Sequence, residues 1–163
     1  MNEEFNKEFN HLKIHTQYSI CEGALRTSDL AKHCKEKKVT AVGLCDSNNL
    51  CGALEFSESI AKSKTQPIIG TQINVEYKGN IGKIPLFAKN LKNYKNLIKL
   101  SSKSFLEINE NEEPHCKFSD IESNSEGIII LSGSLDSLVG KLFSKNLTDE
   151  IILFFKKIKK IFY

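Results

Sequence analysis

The sequence contains no apolar run long enough to cross a membrane. A transmembrane helix needs about 20 predominantly apolar residues, and polar or charged residues interrupt every apolar stretch of the 163-residue chain well before that length. A secretory signal would carry positive charge near its start, whereas the chain opens with Met1, Asn2, Glu3 and Glu4. We therefore expect a cytoplasmic protein that makes no membrane contact.

Paired cysteines are missing as well. The five cysteines are odd in number and none forms a C-x-x-C pair; they are Cys21, Cys34, Cys45, Cys51 and Cys116. Zinc sites usually show such pairs at characteristic spacings. We predict free thiols, with a zinc cluster as the alternative.

Arginine is almost absent, and basic residues do not dominate any long stretch of the chain. Arg26 is the only arginine among 23 basic residues, and lysines interspersed with Asp and Glu leave a net charge of +3. A nucleic-acid-binding surface would show as a clear basic patch, so this composition does not predict one. The apolar fraction of 40% and the charged fraction of 26% are typical of a single globular domain.

Strand and helix patterns alternate along the chain. Strands are predicted over residues 9–15, 41–45, 68–77, 84–88 and 127–131. Helices are predicted over residues 27–37, 50–61 and 91–105, on both sides of Asn146, and most clearly from Thr148 onward. Residues 127–131 are nearly all Ile and Leu, which is typical of a parallel strand buried on both faces. This order predicts an α/β sheet or barrel.

Two side chains that can bind metals or transfer protons stand at predicted strand ends. His15 ends the first strand and Asp46 follows the second. Reactive groups of α/β barrels lie at the carboxyl ends of the strands, so we expect the two side chains to lie close together on adjacent parallel strands. Each also has a purely structural interpretation, His15 as a hydrogen-bonded turn residue and Asp46 as a helix cap.

Several segments resemble one known domain family. Residues 11–19 (HLKIHTQYS), the pair Glu22-Gly23 and residues 44–53 (LCDSNNLCGA) resemble the opening of the PHP (polymerase and histidinol phosphatase) domain of bacterial DNA polymerase III alpha subunits. Residues 67–70, 88–97 and 126–133 resemble later segments of that domain, in the same order. The resemblance implies a PHP-type distorted β/α barrel. Residues 1–163 would be its N-terminal portion, and the polymerase domains would lie outside this chain.

Active members of this family hold divalent metals with His and carboxylate side chains and use them to hydrolyse phosphoesters. Here Lys13 stands at the first His of the H-x-H pair, Ser47 at the His of the D-H pair and Gln72 at a bridging Glu. Lys83 and Ser134 replace further ligands, and Glu22 stands for an Asp. The resemblance therefore implies a vestigial site comprising His11, Lys13, His15, Glu22, Asp46, Ser47, Gln72 and Lys83.

A lysine among these positions opposes metal binding. An ammonium about 4 Å from a divalent ion costs roughly 8 kcal/mol at an effective dielectric constant near 20. We therefore expect no bound metal and no catalytic residue at this site. We also expect the Lys13 ammonium to act as a built-in counterion for Asp46 and Glu22, the alternative being that its long side chain carries the charge to solvent.

The resemblance implies a structural module rather than an enzyme. Its partners would be the remainder of the polymerase alpha subunit and a proofreading exonuclease subunit, with DNA reached only through the holoenzyme. The parent would be a DNA-directed DNA polymerase, a nucleotidyltransferase that uses magnesium, whereas this chain alone would need no cofactor and catalyse nothing.

Two alternatives remain at this point. The first is a metal-dependent phosphoesterase of the PHP superfamily or a 3'-5' proofreading nuclease, which would require the missing His and Glu ligands. The second is an unrelated α/β binding domain that matches the motifs by coincidence.

Overall fold

The protein is described by a computed structural model that covers residues 9–162. Its helices are α1 (Thr27–Lys37), α2 (Ala53–Lys62), α3 (Leu91–Leu106), α4 (Phe118–Ser123), α5 (Leu138–Ser144) and α6 (Thr148–Phe162). Its strands are β1 (Ala41–Ser47), β2 (Gln66–Tyr77), β3 (Asn80–Ala88), β4 (Cys116–Lys117) and β5 (Ile128–Ile130). None of these helices is long and apolar enough to span a membrane. The predicted α/β class is confirmed.

One five-stranded sheet organises the described residues. Its order is β1-β2-β3-β5, and the short strand β4 pairs with β2 beyond the end of β1. Strands β1 and β2 are parallel, whereas β3 is antiparallel to both of its neighbours, β2 and β5. The carboxyl end of β1 therefore lies beside the middle of β2, because Ser47 pairs with Gln72 and β2 continues to Tyr77.

Helices α1 and α2 cover one part of the sheet, and α3 to α6 cover another. The first core centres on Leu44, Phe56 and Ile60, which are fully buried. The second contains Ile73, Leu97, Leu138 and Phe154 among many others. Burying a large apolar side chain stabilises a fold by about 1.5–3 kcal/mol, so these two clusters fix the sheet that carries the site.

The prediction of a strand over residues 9–15 is wrong, because these residues form no continuous strand in the structure. This N-terminal segment runs beside β1, but only Ile14 forms a bridge, to Leu44. Two backbone hydrogen bonds hold it, from Gly43 N to the His11 carbonyl and from Cys45 N to the Ile14 carbonyl, both 2.8 Å. These bonds are too few for a continuous ladder. The approach is nevertheless close, since a Cβ atom on Gly43 would lie 2.4 Å from the Leu12 carbonyl oxygen.

Strand β5 also differs from its prediction as a parallel strand buried on both faces. It is antiparallel to β3 and lies at the end of the strand order in the described part of the chain. Ile128 is buried, whereas Ile129 is 44% exposed. Although this segment is strongly apolar, only one of its two faces is buried.

A gap opens in the sheet between β2 and β3. The β2–β3 ladder begins at Gly70 and Phe87, so residues 66–69 of β2 pair only with β1. At the same level Ala88 pairs with Ile128 of β5. The two halves of the sheet thus diverge at the end opposite to Ser47 and Gln72.

The five cysteines are free thiols, as predicted. Cys34, Cys45 and Cys116 are buried, whereas Cys21 and Cys51 are exposed. Burial raises the pKa of both Cys45 and Cys116 to about 12. These two thiols are therefore protonated and unreactive at neutral pH.

Candidate functional site

The candidate site lies at the carboxyl end of β1, beside the middle of β2. Asp46 and Ser47 come from β1 and Gln72 comes from β2. His15 ends the N-terminal segment, and Thr16, Ser19 and Glu22 follow it. Lys83 extends from β3, and Ser134 and Asp136 lie in the loop between β5 and α5. His11 is exposed and its ring packs edge-on against Phe9, so it does not join this group.

Asp46 is the most constrained residue of the site. It is fully buried and accepts three short hydrogen bonds. The donors are the Thr16 backbone N–H at 2.6 Å, the Thr16 hydroxyl at 2.7 Å and the Ser19 hydroxyl at 2.6 Å. Hydrogen bonds to a carboxylate are stronger than those between neutral groups. Asp46 therefore fastens the segment after Ile14 to the end of β1.

His15 and Asp46 are neighbours through Ser19, which confirms the predicted proximity. The His15 Nδ1 atom lies 3.3 Å from the Ser19 hydroxyl oxygen, and that hydroxyl donates to Asp46. Because the hydroxyl has a single hydrogen, Nδ1 can join it only as a donor. This geometry favours the tautomer of His15 that carries its proton on Nδ1.

Lys83, rather than Lys13, is the counterion at the centre of the site. Its ammonium donates a hydrogen bond to Glu22 and lies 3.7 Å from the Asp136 Oδ2 atom. Glu22 also accepts a hydrogen bond from the Ser47 hydroxyl, which in turn accepts from the Gln72 side-chain N–H at 3.3 Å. The network joins three strands and two loops around the Lys83 ammonium group.

The predicted pairing of Lys13 with Asp46 and Glu22 is wrong. The Lys13 ammonium donates to the Ser134 hydroxyl at 3.4 Å and lies 4.0 Å from the Asp136 Oδ1 atom. The reason is that both other carboxylates are already satisfied, Asp46 by hydroxyl and backbone donors and Glu22 by Lys83. Lys13 therefore helps to hold the loop that follows β5.

The ion pairs shift the pKa values of the groups that form them. Burial is the largest influence on Glu22 and raises its pKa, but hydrogen bonds from Lys83 and Ser47 outweigh it and the net pKa is lowered. Burial likewise opposes the charge of Lys83, yet Glu22 and Asp136 raise its pKa overall. A hydrogen bond from Ser134 is the main reason that the pKa of Asp136 is lowered. All three groups are charged at neutral pH.

His15 shifts in the direction of the neutral form. Burial is the largest influence and lowers its pKa below the usual histidine value of 6.5. The Glu22 and Asp46 carboxylates oppose this shift, whereas the Lys13 and Lys83 ammonium groups reinforce it. His15 is therefore a neutral imidazole at neutral pH.

This shift predicts a pH dependence of stability. The unfolded chain binds a proton at His15 near pH 6.5 and the folded chain only at lower pH, so stability is lost as the pH falls below about 6.5. Between about pH 7.5 and 5.5, we expect the free energy of unfolding of His15→Gln, measured by urea denaturation, to change less with pH than that of the original protein. His11→Gln, at an exposed histidine, should leave the steepness unchanged. Equal slopes for His15→Gln and the original protein would contradict the prediction.

The residues present do not fit a catalytic metal cluster. His15, Glu22, Asp46 and Asp136 are the potential ligands, but the Asp46 oxygens already accept three hydrogen bonds, and Glu22 and Asp136 form ion pairs with the Lys83 ammonium. Divalent metals need several anionic or imidazole ligands at fixed geometry. The buried Gln72 Oε1 atom has no hydrogen-bond partner among the residues that the structure describes, but it is a neutral group and cannot replace the missing charge. Within residues 9–162 no group of three or more His, Cys, Asp or Glu side chains is arranged to hold a metal ion.

Sequence reasoning missed three residues of the site. Thr16 and Ser19 lie within the motif that carries the family resemblance, yet their hydrogen bonds to Asp46 were not predicted. Asp136 follows β5 and completes the Lys83 ion pair. Its position after the carboxyl end of a strand was the available signal.

The sequence of the chain matches a known family over nearly its whole length. Residues 11–163 match the family model described as the PHP domain. The chain belongs to the PHP domain family, and the PHP-type α/β fold expected from the sequence is confirmed.

Several curated relatives with similar sequences are named DNA polymerase III subunit alpha. The chain is 34% identical to that of Caulobacter vibrioides over 170 residues, which covers 99% of this chain and 15% of the relative. It is 37% identical to that of Rickettsia prowazekii, covering 94% of this chain and 13% of the relative. For Borreliella burgdorferi the identity is 34%, with 94% and 15% covered. The chain thus spans about a seventh of the length of these relatives.

A solved structure of an amidohydrolase from Chromobacterium violaceum also overlaps with the fold. The TM-score is 0.49 and the identity 16%, over 58% of this chain and 32% of that chain.

Proposed function

We propose that this chain is the N-terminal part of a DNA polymerase III alpha subunit and acts there as a structural module without catalysis of its own. The observation that carries the proposal is the Lys83 ammonium, which is bonded to Glu22 and lies 3.7 Å from Asp136. A protein cation takes the place that a divalent metal would need. The similarity to the alpha subunits supports the identity of the parent protein.

The chemistry of the site supports the loss of hydrolysis. Metal-assisted hydrolysis needs a metal-bound water as nucleophile or a Lewis acid to polarise the phosphoryl group. A second cation placed between Glu22 and Asp136 would meet the Lys83 ammonium, and like charges about 4 Å apart repel strongly at the low dielectric of a protein interior. The ion pairs instead stabilise the junction between β1, β3 and the loop after β5.

The parent protein would supply the activity and the partners. Its polymerase domains would carry DNA-directed nucleotidyl transfer with magnesium, and DNA would reach this module only through the assembled holoenzyme. A domain that holds ion pairs where a metal would bind can serve as a binding platform for a proofreading exonuclease subunit. That partner and the remainder of the alpha subunit are the interactions that we propose.

Metal content tests the catalytic part of this proposal. After incubation with manganese, magnesium or zinc and extensive dialysis, we expect substoichiometric metal by elemental analysis and no hydrolysis of bis(p-nitrophenyl) phosphate above the buffer rate. Lys13→His restores one lost ligand type and should give the same result, because Lys83 still occupies the centre of the site. Stoichiometric metal together with turnover would instead establish the alternative, a metal-dependent phosphoesterase or a 3'-5' nuclease.

A further inference from the structure

An apolar groove lies over the gap between β2 and β3. Its volume is about 710 Å³, and it is bounded by α2 on one side and by the start of α3 on the other. Its lining includes Leu54, Ile68, Ile69, Leu91, Tyr94 and Ile129. The groove exists because, in the described part of the chain, residues 66–69 of β2 pair with β1 and not with β3.

Large apolar side chains at this groove remain in water. Leu91 is 81% exposed, Leu54 is 71% exposed and Ile129 is 44% exposed. Single exposed leucines are common, but several around one concave apolar surface are typical of an interaction site. A volume of this size accommodates several large side chains of a bound segment.

The groove is separate from the candidate site. It lies at the start of β2 and the end of β3, whereas Ser47 and Gln72 lie at the opposite end of the parallel β1–β2 ladder. A partner bound in the groove would therefore leave the Lys83 ion pairs intact. The two regions can be tested independently.

The charge at the groove selects an acidic partner. Lys89 is the only charged residue in the lining, it is exposed, and it forms no ion pair with any residue in the range 9–162. The nearby Lys92, in contrast, lies 3.6 Å from a Glu126 carboxylate oxygen. A carboxylate on the partner would supply the missing opposite charge and fix the orientation of the segment.

We propose that this groove binds a short segment of a protein partner that carries large apolar side chains and at least one carboxylate. The inference rests on the proposed docking function and assigns the surface that performs it. Relatives of this chain are named as a subunit, which supports a protein as the occupant. Recognition would follow the usual pattern of an apolar anchor in a groove with a polar contact at the rim.

A labelled peptide tests the groove directly. The probe is a fluorescein-labelled dodecapeptide that alternates Leu or Phe with Asp or Glu, and fluorescence anisotropy measures its affinity for the 163-residue chain. We expect Leu91→Asp and Lys89→Glu each to weaken binding by about tenfold or more, as loss of an anchor or a complementary charge does. A probe with Lys in place of its acidic residues should bind at least about tenfold more weakly.

Matched variants separate the groove from general effects. Leu106→Asp changes a leucine that is 80% exposed on the same helix but outside the groove, and Lys99→Glu reverses an exposed charge of α3. Both should retain full affinity, and circular dichroism should show that all four variants are folded. The groove assignment would be overturned if the control variants lost as much affinity for the peptide as the groove variants, or if the acidic peptide did not bind the original chain.

A second measurement distinguishes the groove from the proposed function. Sedimentation velocity compares binding of the proofreading exonuclease subunit from the same organism to the original chain and to Leu91→Asp. Loss of binding in Leu91→Asp alone supports both proposals. If Leu91→Asp binds the exonuclease as well as the original chain does, the groove assignment is overturned and the docking function stands. If the original chain binds the acidic peptide but not the exonuclease, only the exonuclease as partner is overturned. Self-association abolished by Leu91→Asp would make a second copy the occupant and overturn the proposal.

Discussion

Asp46→Ala is expected to lower the free energy of unfolding by about 4 kcal/mol, the largest effect of any change at the site. The substitution leaves the Thr16 N–H, the Thr16 hydroxyl and the Ser19 hydroxyl without their common acceptor. Each buried donor left unpaired costs about 1–3 kcal/mol, and part of this is recovered as the hydroxyls rotate toward other acceptors. Urea denaturation followed by circular dichroism measures the change.

A graded series controls this prediction. Asp46→Asn keeps one acceptor oxygen and should lie between the alanine variant and the original protein. Asp149→Ala removes an exposed carboxylate in the first turn of α6 and should cost less than about 1 kcal/mol. If Asp46→Ala cost no more than Asp149→Ala, the role of Asp46 in fastening the N-terminal segment would be refuted.

Lys83→Met is expected to lower the free energy of unfolding by about 2 kcal/mol. Methionine keeps most of the apolar stem but removes the ammonium that Glu22 and Asp136 share. Exposed ion pairs are worth about 1 kcal/mol or less, and removing one partner of a buried pair costs about 3–5 kcal/mol. The Lys83 and Glu22 side chains are 24% and 35% exposed, so the intermediate value applies after allowance for solvent screening.

Removing the opposite charge should rescue this variant. Glu22→Gln combined with Lys83→Met takes away both members of the pair, and the double variant is expected to be more stable than Lys83→Met alone. Lys99→Met, at an exposed position of α3, serves as the control and should change stability by less than about 0.5 kcal/mol. Strict additivity of the two changes at residues 22 and 83 would show that the ion pair contributes nothing to stability.

Local pattern predicted much of the sheet and the position of its site. The apolar run of β1 ending at Asp46, and the helical spacing of α1, α3 and α6, lie close to their observed bounds. The proximity of His15 and Asp46 followed from the general rule that strand ends converge in α/β folds. These features depend on periodicity and chain order, which the sequence contains directly.

The counterion could not be predicted in the same way. Lys13 and Lys83 both lie at the site, and the sequence alone does not decide which long side chain reaches Glu22. The choice depends on the direction that each side chain takes and on Asp136, which is distant from both lysines in sequence. Side-chain direction in an irregular segment such as residues 9–15 is set by tertiary contacts and not by spacing.

The attachment of the N-terminal segment has a consequence for local unfolding. Backbone hydrogen bonds from Gly43 and Cys45, together with the bonds from Thr16 to Asp46, hold this segment against the edge of β1. All of these contacts break together if the segment detaches, while β2 and β3 keep their own ladder. The segment is therefore a cooperative unit that can open before the rest of the sheet, and the amides of residues 16, 43 and 45 would exchange their hydrogens with solvent in a single shared step.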